Sequence, residues 1–312
     1  MLLQHTPKCV KMDLDAKIKE FSDGKNTATH IISSAVPDIC KSEPCMLGID
    51  EAGRGPVLGP MVYGCAYCPV SKLAELKALK CADSKTLSLE AREKLLILLN
   101  DSGDFLGWEV EILSPSFISR NMFKRSKYNL NWMSHDAAIA LIARCREAGV
   151  NVTEVYVDTV GPPEKYQAKL EARFPGLKIT VSKKADALFP TVSAASICAK
   201  VVRDRALAHW TCPEKMEVDV AALGSGYPAD PQTKRFLASS LDPVFGFPSL
   251  VRFSWSTCQT ILDTSAVGVQ WEKPDDENAA ARDTPSVAAL FGGQGARHVF
   301  FTERHLRPAP PL

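Results

Sequence analysis

Three apolar runs that stop at or just before an acidic residue constrain this chain more than any other feature. Cys45-Met-Leu-Gly-Ile49 runs into Asp50 and Glu51, Glu154-Val-Tyr-Val157 runs into Asp158, and Lys178–Ser182 is followed by Lys183, Lys184 and then Asp186. Short apolar runs of this kind read as strands. In an α/β sheet the strand ends line the crevice where ligands bind. If the three strands are neighbours, their carboxylates converge at one end of the sheet.

The remaining pattern supplies the rest of such a sheet. Met61–Tyr67 returns after the Gly/Pro-rich turn Gly53–Pro60, so it pairs antiparallel with the first strand. Gly107–Leu113 reads as a further strand. Ser88 can cap a helix to about Asn100, and Ser134 a helix to about Ala148, closed by Gly149. Pro162 opens a helix to about Phe174. Thr191–Trp210 is a long helix whose early residues, Ser193, Ala194, Ala195 and Ser196, are small enough to pack closely on a sheet. Three strands in a meander, followed by strands alternating with helices, predict an α/β domain: a mixed sheet flanked by helices. Its span is 46–210. Residues 1–45 read as a poorly ordered leader with a short helix near Asp13–Phe21, and 211–262 as a helical C-terminal part. Residues 263–312 read as a polar linker and a C-terminal extension that regains apolar character at Val299–Phe301.

Composition bounds the function only loosely. The formal net charge of +1 over 312 residues favours no class of partner, so nucleic-acid affinity must come from local clusters. The N-terminal residues lack the apolar core of a secretory signal, and no run reaches the ~20 apolar residues of a membrane span. The ten cysteines therefore read as reduced thiols of an intracellular protein. The one close pair, Cys65 and Cys68, lacks the second pair or the histidines of a zinc site.

Taken singly, each acid reads as a solvated residue at a strand end. Four that converge cannot all stay ionised unaided, because like charges raise each other's pKa. Divalent cations resolve this, and oxygen donors suit Mg²⁺ or Mn²⁺. Two such ions can activate a water and stabilise the leaving oxygen of a phosphodiester. The flanking segments suit the same substrate. Gly53-Arg54-Gly55 allows close backbone approach and offers an arginine to phosphate, or else forms a plain tight turn. Asp83-Ser84-Lys85 places a lysine and a hydroxyl ahead of a helix. Arg120–Asn129 is basic with Phe123 and Tyr128 interleaved, a mix that suits a backbone-contacting loop and also a solvated face. Gly224-Ser-Gly-Tyr227-Pro228 holds a tyrosine in a constrained loop, where a phenol can meet a 2′-hydroxyl.

Together these segments resemble the type 2 ribonuclease H family, and within it the catalytic A subunits of the eukaryotic enzymes. The resemblance is carried by Gly48–Pro56, Ala82–Leu87, Lys127–Asn131, Tyr156–Gly161, Lys184–Ala187, Val192–Lys200, Gly224–Pro228, Phe245–Pro248 and Arg252–Trp255, in order over about residues 46–262. It implies a ribonuclease H-like fold and a metal site of Asp50, Glu51, Asp158 and Asp186 that holds two Mg²⁺ or Mn²⁺ ions. It implies substrate contacts from Gly53, Arg54, Gly55, Asp83, Ser84, Lys85 and Tyr227. The implied activity is hydrolysis of RNA in RNA–DNA hybrids and cutting 5′ of single ribonucleotides in duplex DNA, leaving 3′-hydroxyl and 5′-phosphate ends. The family setting is a nuclear heterotrimer with non-catalytic B and C subunits, active in ribonucleotide and primer removal, with no membrane role. Two other readings are a related nuclease of different substrate range and a non-catalytic protein that binds hybrids. Tyr227 with Gly-Arg-Gly weighs against the first, and four retained carboxylates against the second.

Overall fold

The runs of apolar residues form one sheet because each has two faces to bury. The structure, a computed structural model, describes residues 14–81, 87–124, 126, 128–216 and 218–268. The strands are β1 (His30–Ser33), β2 (Cys45–Ala52), β3 (Met61–Pro69), β4 (Gly107–Leu113), β5 (Val152–Asp158) and β6 (Lys178–Ser182), in the order β1-β4-β3-β2-β5-β6. β1 to β4, β4 to β3 and β3 to β2 are antiparallel, while β2 to β5 and β5 to β6 are parallel. The three strands that end in acids are thus consecutive and point the same way.

The helices are α1 (Leu14–Glu20), α2 (Asp38–Ser42), α3 (Leu73–Ala78), α4 (Leu89–Asp101), α5 (Pro115–Met122), α6 (Leu130–Glu147), α7 (Pro163–Arg173), α8 (Ala185–Leu188), α9 (Pro190–Ala208), α10 (Pro231–Ser239) and α11 (Ser256–Ser265). Strand alternation divides the core between the two faces. Leu47 and Ile49 of β2, with Tyr63 and Cys65 of β3, face α6 and α7, where Ala138, Leu141 and Leu170 are buried. Met46 and Ala52, with Val62, Ala66 and Cys68, face α9, α4 and α1. Cys65 and Cys68 therefore lie on opposite faces, and both are buried and free.

α9 lies unusually close to the sheet. A Cβ built on Gly48 would stand 2.2 Å from the Val192 backbone nitrogen, and one on Gly64 2.9 Å from the Ala195 carbonyl oxygen. Glycine on the strands and small residues along α9 are both needed for that approach.

Two boundaries differ from the sequence reading. Ser134 is a buried interior residue of α6, and the helix starts a turn earlier, where Asn129 Oδ1 accepts from Trp132 N at 3.1 Å. Residues 14–42 of the expected leader carry α1, α2 and β1, which edges the sheet. The chain divides into compact units at Val267 and Gly268, and residues 211–262 belong to the first. Val299–Phe301 lies outside the described residues.

Gly48→Ala is expected to destabilise the fold by about 2–3 kcal/mol, because backbone rather than a flexible side chain blocks the new methyl. The urea midpoint of the purified chain measures this.

Candidate active site

Alternation along β2 sends its two terminal acids in opposite directions. Asp50 points to the α9 face, where burial pushes its carboxyl up to about 6. The Ser196 hydroxyl and the Lys200 ammonium oppose that rise, and Asp158 adds to it. Lys200 Nζ donates to Ser196 Oγ at 2.5 Å, one helical turn back along α9. Asp50 Oδ1 accepts from the Glu51 backbone at 2.8 Å. Glu51 points to the opposite face, directly across the β2–β3 pair from Tyr63.

Asp158 ends β5, the parallel neighbour of β2, and its Oδ1 accepts from Ala185 N at 3.0 Å. That bond ties it to the start of α8. Lys184, with φ of 55°, makes the sharp turn from β6 into α8 and brings Asp186 to the same end of the sheet. Asp186 is buried, and Ser193 donates to its backbone carbonyl.

The loop after β2 is held from the C-terminal side of the chain. Arg252 is completely buried, and among the described residues no carboxylate is bonded to it. Its Nε donates to Gly59 O at 2.8 Å, Nη1 to Arg54 O at 3.0 Å and Nη2 to Gly53 O at 2.6 Å. Trp255 Nε1 donates to Gly55 O at 3.1 Å, and Val57 N to Gly226 O at 2.8 Å. Gly53 has φ of 74°, and a Cβ there would collide with the Arg203 guanidinium. A Cβ on Gly55 would stand 2.9 Å from the ring of Tyr227, so the half-exposed tyrosine rests on bare backbone. Gly224 and Gly226, at φ of 66° and 76°, shape the loop that presents it. Arg54 donates to Asn131 at the start of α6.

A cleft of about 430 Å³ joins these pieces. Its walls include Asp50, Glu51 and Asp158, the loop from Gly53 to Gly55, and Tyr227. Asp186 is not part of that wall. The sequence reading missed Arg92, Lys200, Arg203 and Asp204, which complete the wall. Lys200, Arg203 and Asp204 follow the small-residue stretch of α9 on the same helix, the one signal that could have found them. Arg92 on α4 pairs with Asp204 at 3.2 Å. Asp83, Ser84 and Lys85 lie outside the described residues, as do Arg125 and Lys127. Arg120 is exposed and is held by backbone, donating to Thr27 O at 3.0 Å and to Ser116 O at 3.3 Å.

Among the described residues no three His, Cys, Asp or Glu side chains converge tightly enough to hold a metal ion as they stand. The donor set nevertheless suits a hard cation, since every acid at this end of the sheet offers carboxylate oxygens alone. The raised Asp50 carboxyl is a buried negative charge that a cation would relieve.

A family model described as Ribonuclease HII matches residues 47–258. The chain is similar to the A subunit of ribonuclease H2 of Homo sapiens, 53% identical over 291 residues that cover 92% of this chain and 97% of the relative. It is 54% identical to the corresponding subunit of Arabidopsis thaliana over 254 residues, covering 80% and 85%. Among solved structures it is similar to the ribonuclease H2 from Pyrococcus horikoshii OT3, at 31% identity and a TM-score of 0.58, covering 70% of this chain and 97% of that one. Bst-RNase HIII in complex with Mn²⁺ shares the fold at 21% identity and a TM-score of 0.55, covering 72% and 70%.

The Asp50 carboxyl has a folded pKa above its ordinary 3.8, so the folded state binds this proton more tightly than the unfolded chain. Its contribution to stability is complete below 3.8 and is lost as pH rises through about 6. Without metal, Asp50→Asn should therefore match the wild type in acid and exceed it above that window, by about 1–3 kcal/mol. Denaturant unfolding in chelator across pH measures the difference.

Proposed function

The chain belongs to the ribonuclease HII family, and from that membership we propose that it is a metal-dependent endoribonuclease. It hydrolyses RNA in RNA–DNA hybrids and cuts on the 5′ side of single ribonucleotides embedded in duplex DNA, leaving 3′-hydroxyl and 5′-phosphate ends. One observation carries the reading: the exposed backbone of Gly53–Gly55 and the phenol of Tyr227 share a cleft with Asp50, Glu51 and Asp158. A 2′-hydroxyl reader and a cluster of acids thus stand side by side.

Asp50, Glu51, Asp158 and Asp186 would hold two Mg²⁺ or Mn²⁺ ions, which supply an activated water and charge stabilisation at the scissile phosphate. The protein's own groups do the positioning. Arg252 fixes the carbonyls of Gly53 and Arg54, so the glycine loop meets a ribose without rearranging. Tyr227 lies over Gly55, where its hydroxyl and ring can bond and pack on the ribose. A deoxyribose lacks the hydroxyl these groups would bond, and this sets the specificity. Lys200, beside Asp50, and Arg203 bring positive charge to the same cleft as the acids, suited to a phosphate. Lys85 is proposed as a further phosphate contact.

The chain's partners are proposed to be the non-catalytic B and C subunits of a heterotrimer, and its place the nucleus, where ribonucleotides are removed from DNA. Among the described residues no helix is long and apolar enough to cross a membrane.

The purified chain, alone or with partner subunits, should cut a duplex bearing one ribonucleotide on its 5′ side with Mg²⁺ and not with chelator. Asp50→Asn should abolish the cut while leaving duplex binding in place. A gel assay reads the first and a mobility shift the second, and near-normal turnover by the variant would remove Asp50 from the site.

Tyr227→Ala should slow cleavage at a single ribonucleotide by at least about tenfold, since stacking with a hydrogen bond is worth ~1–3 kcal/mol. An unchanged single-turnover rate would take Tyr227 out of the junction-reading role.

A further inference from the structure

The end of α5 and the start of α6 frame a second groove, of about 550 Å³. Its walls include Phe117, Tyr128 and Trp132 with Lys124, and among the described residues no acid. Two contacts tie this groove to the glycine loop of the cleft. Asn131, next to Trp132 in the first turn of α6, accepts from Arg54. Phe123, just past α5, stacks on Phe253 with ring centres 6.3 Å apart and 14° between planes. Phe253 follows Arg252, which fixes the carbonyls of Gly53 and Arg54.

The aromatic rings here are not spent on the core. Trp132 is 53% exposed, although Lys169 Nζ lies over its ring at 4.7 Å from the centroid, and Phe123 is 60% exposed. A single exposed ring needs no explanation, but two beside a groove with aromatic walls mark a binding surface. The charge says for what. Residues 120–129 carry Arg120, Lys124, Arg125 and Lys127 and no acid. Cations suit the phosphates of a nucleic-acid strand, and rings suit its bases. A base inside a duplex is already stacked on both faces, so a ring gains little from it. An unpaired base has a face to offer.

We propose that this groove takes an unpaired nucleotide of a strand that continues beyond the duplex held in the cleft, its base packed on the Trp132 ring and its phosphate near Lys124. The inference rests on the nuclease reading above and narrows its substrate: a duplex with a single-stranded extension binds better than a blunt one. The contacts from Asn131 to Arg54 and from Phe123 to Phe253 make the groove continuous with the glycine loop, so one strand can run from cleft to groove.

The test is fluorescence anisotropy of the full chain in chelator, on duplex DNA bearing one ribonucleotide. The duplex is blunt, carries a short unpaired thymidine extension, or carries the same extension without bases, each extension being tried at either strand end. The thymidine extension at one of these ends is expected to tighten binding about 5–10-fold, the abasic one to recover only a minor part of that gain, and Trp132→Ala to lose it. Equal affinity for blunt and extended duplexes overturns the proposal and leaves the rings to a protein partner. A full gain from the abasic strand, or a gain kept by Trp132→Ala, overturns it as well, since charge or another surface would then be responsible. Cleavage in Mg²⁺ is read separately. Its absence in the wild type would remove the nuclease reading without touching these binding ratios.

Discussion

The site depends on a charge that has no countercharge bonded to it among the described residues. Arg252 is wholly buried, and instead of a carboxylate it meets three backbone carbonyls, those of Gly53, Arg54 and Gly59. Burial, with Arg203 close by, lowers its pKa well below the arginine range. Its ring partner is Trp255, with the guanidinium carbon 5.1 Å from the ring centre. An acid in this place would have satisfied the arginine without constraining the loop. Carbonyls constrain it, because each bond fixes one peptide plane. The glycine loop can therefore be both free of side chains at Gly53 and Gly55 and fixed in its backbone.

The two faces of the sheet serve its acids differently. On one face α9 comes so close at Gly48 and Gly64 that only glycine fits there, and it carries Ser196 and Lys200 to Asp50. On the other, α6 and α7 bury the surroundings of Glu51. Adjacent residues in sequence thus enter the site with separate surroundings. A single helix could not have supplied both.

What was legible in the sequence was what depends on local pattern. The acid-ending strands stood out because an apolar run that stops at a carboxylate is visible over a few residues, and β2, β5 and β6 are indeed neighbours in the sheet. The cap at Ser88 was equally local, with Ser88 Oγ accepting from Ala91 N at 3.2 Å. Ser134 misled because a buried serine inside a helix looks like a cap when its surroundings are unknown. β1 escaped because it is four residues long and only one of them, Ile32, is buried, too short a run to show a period. Arg92 and Asp204 meet across two helices, and no spacing in the sequence announces such a pair. Arg252 lay within a recognised motif, but nothing in the sequence said that its partners would be carbonyls about 200 residues earlier.

That separation has a temporal side. The residues joined by the buried guanidinium are 193 to 199 positions apart, and during synthesis a chain emerges N-terminus first. All four strand-end acids are already made when residue 251 leaves the ribosome, yet the loop beside them still lacks the arginine that sets its peptide planes. Residue 252 therefore reaches its three carbonyls only after every acid of β2, β5 and α8 has been made, so the peptide planes of this early loop are among the last features of the fold to be set.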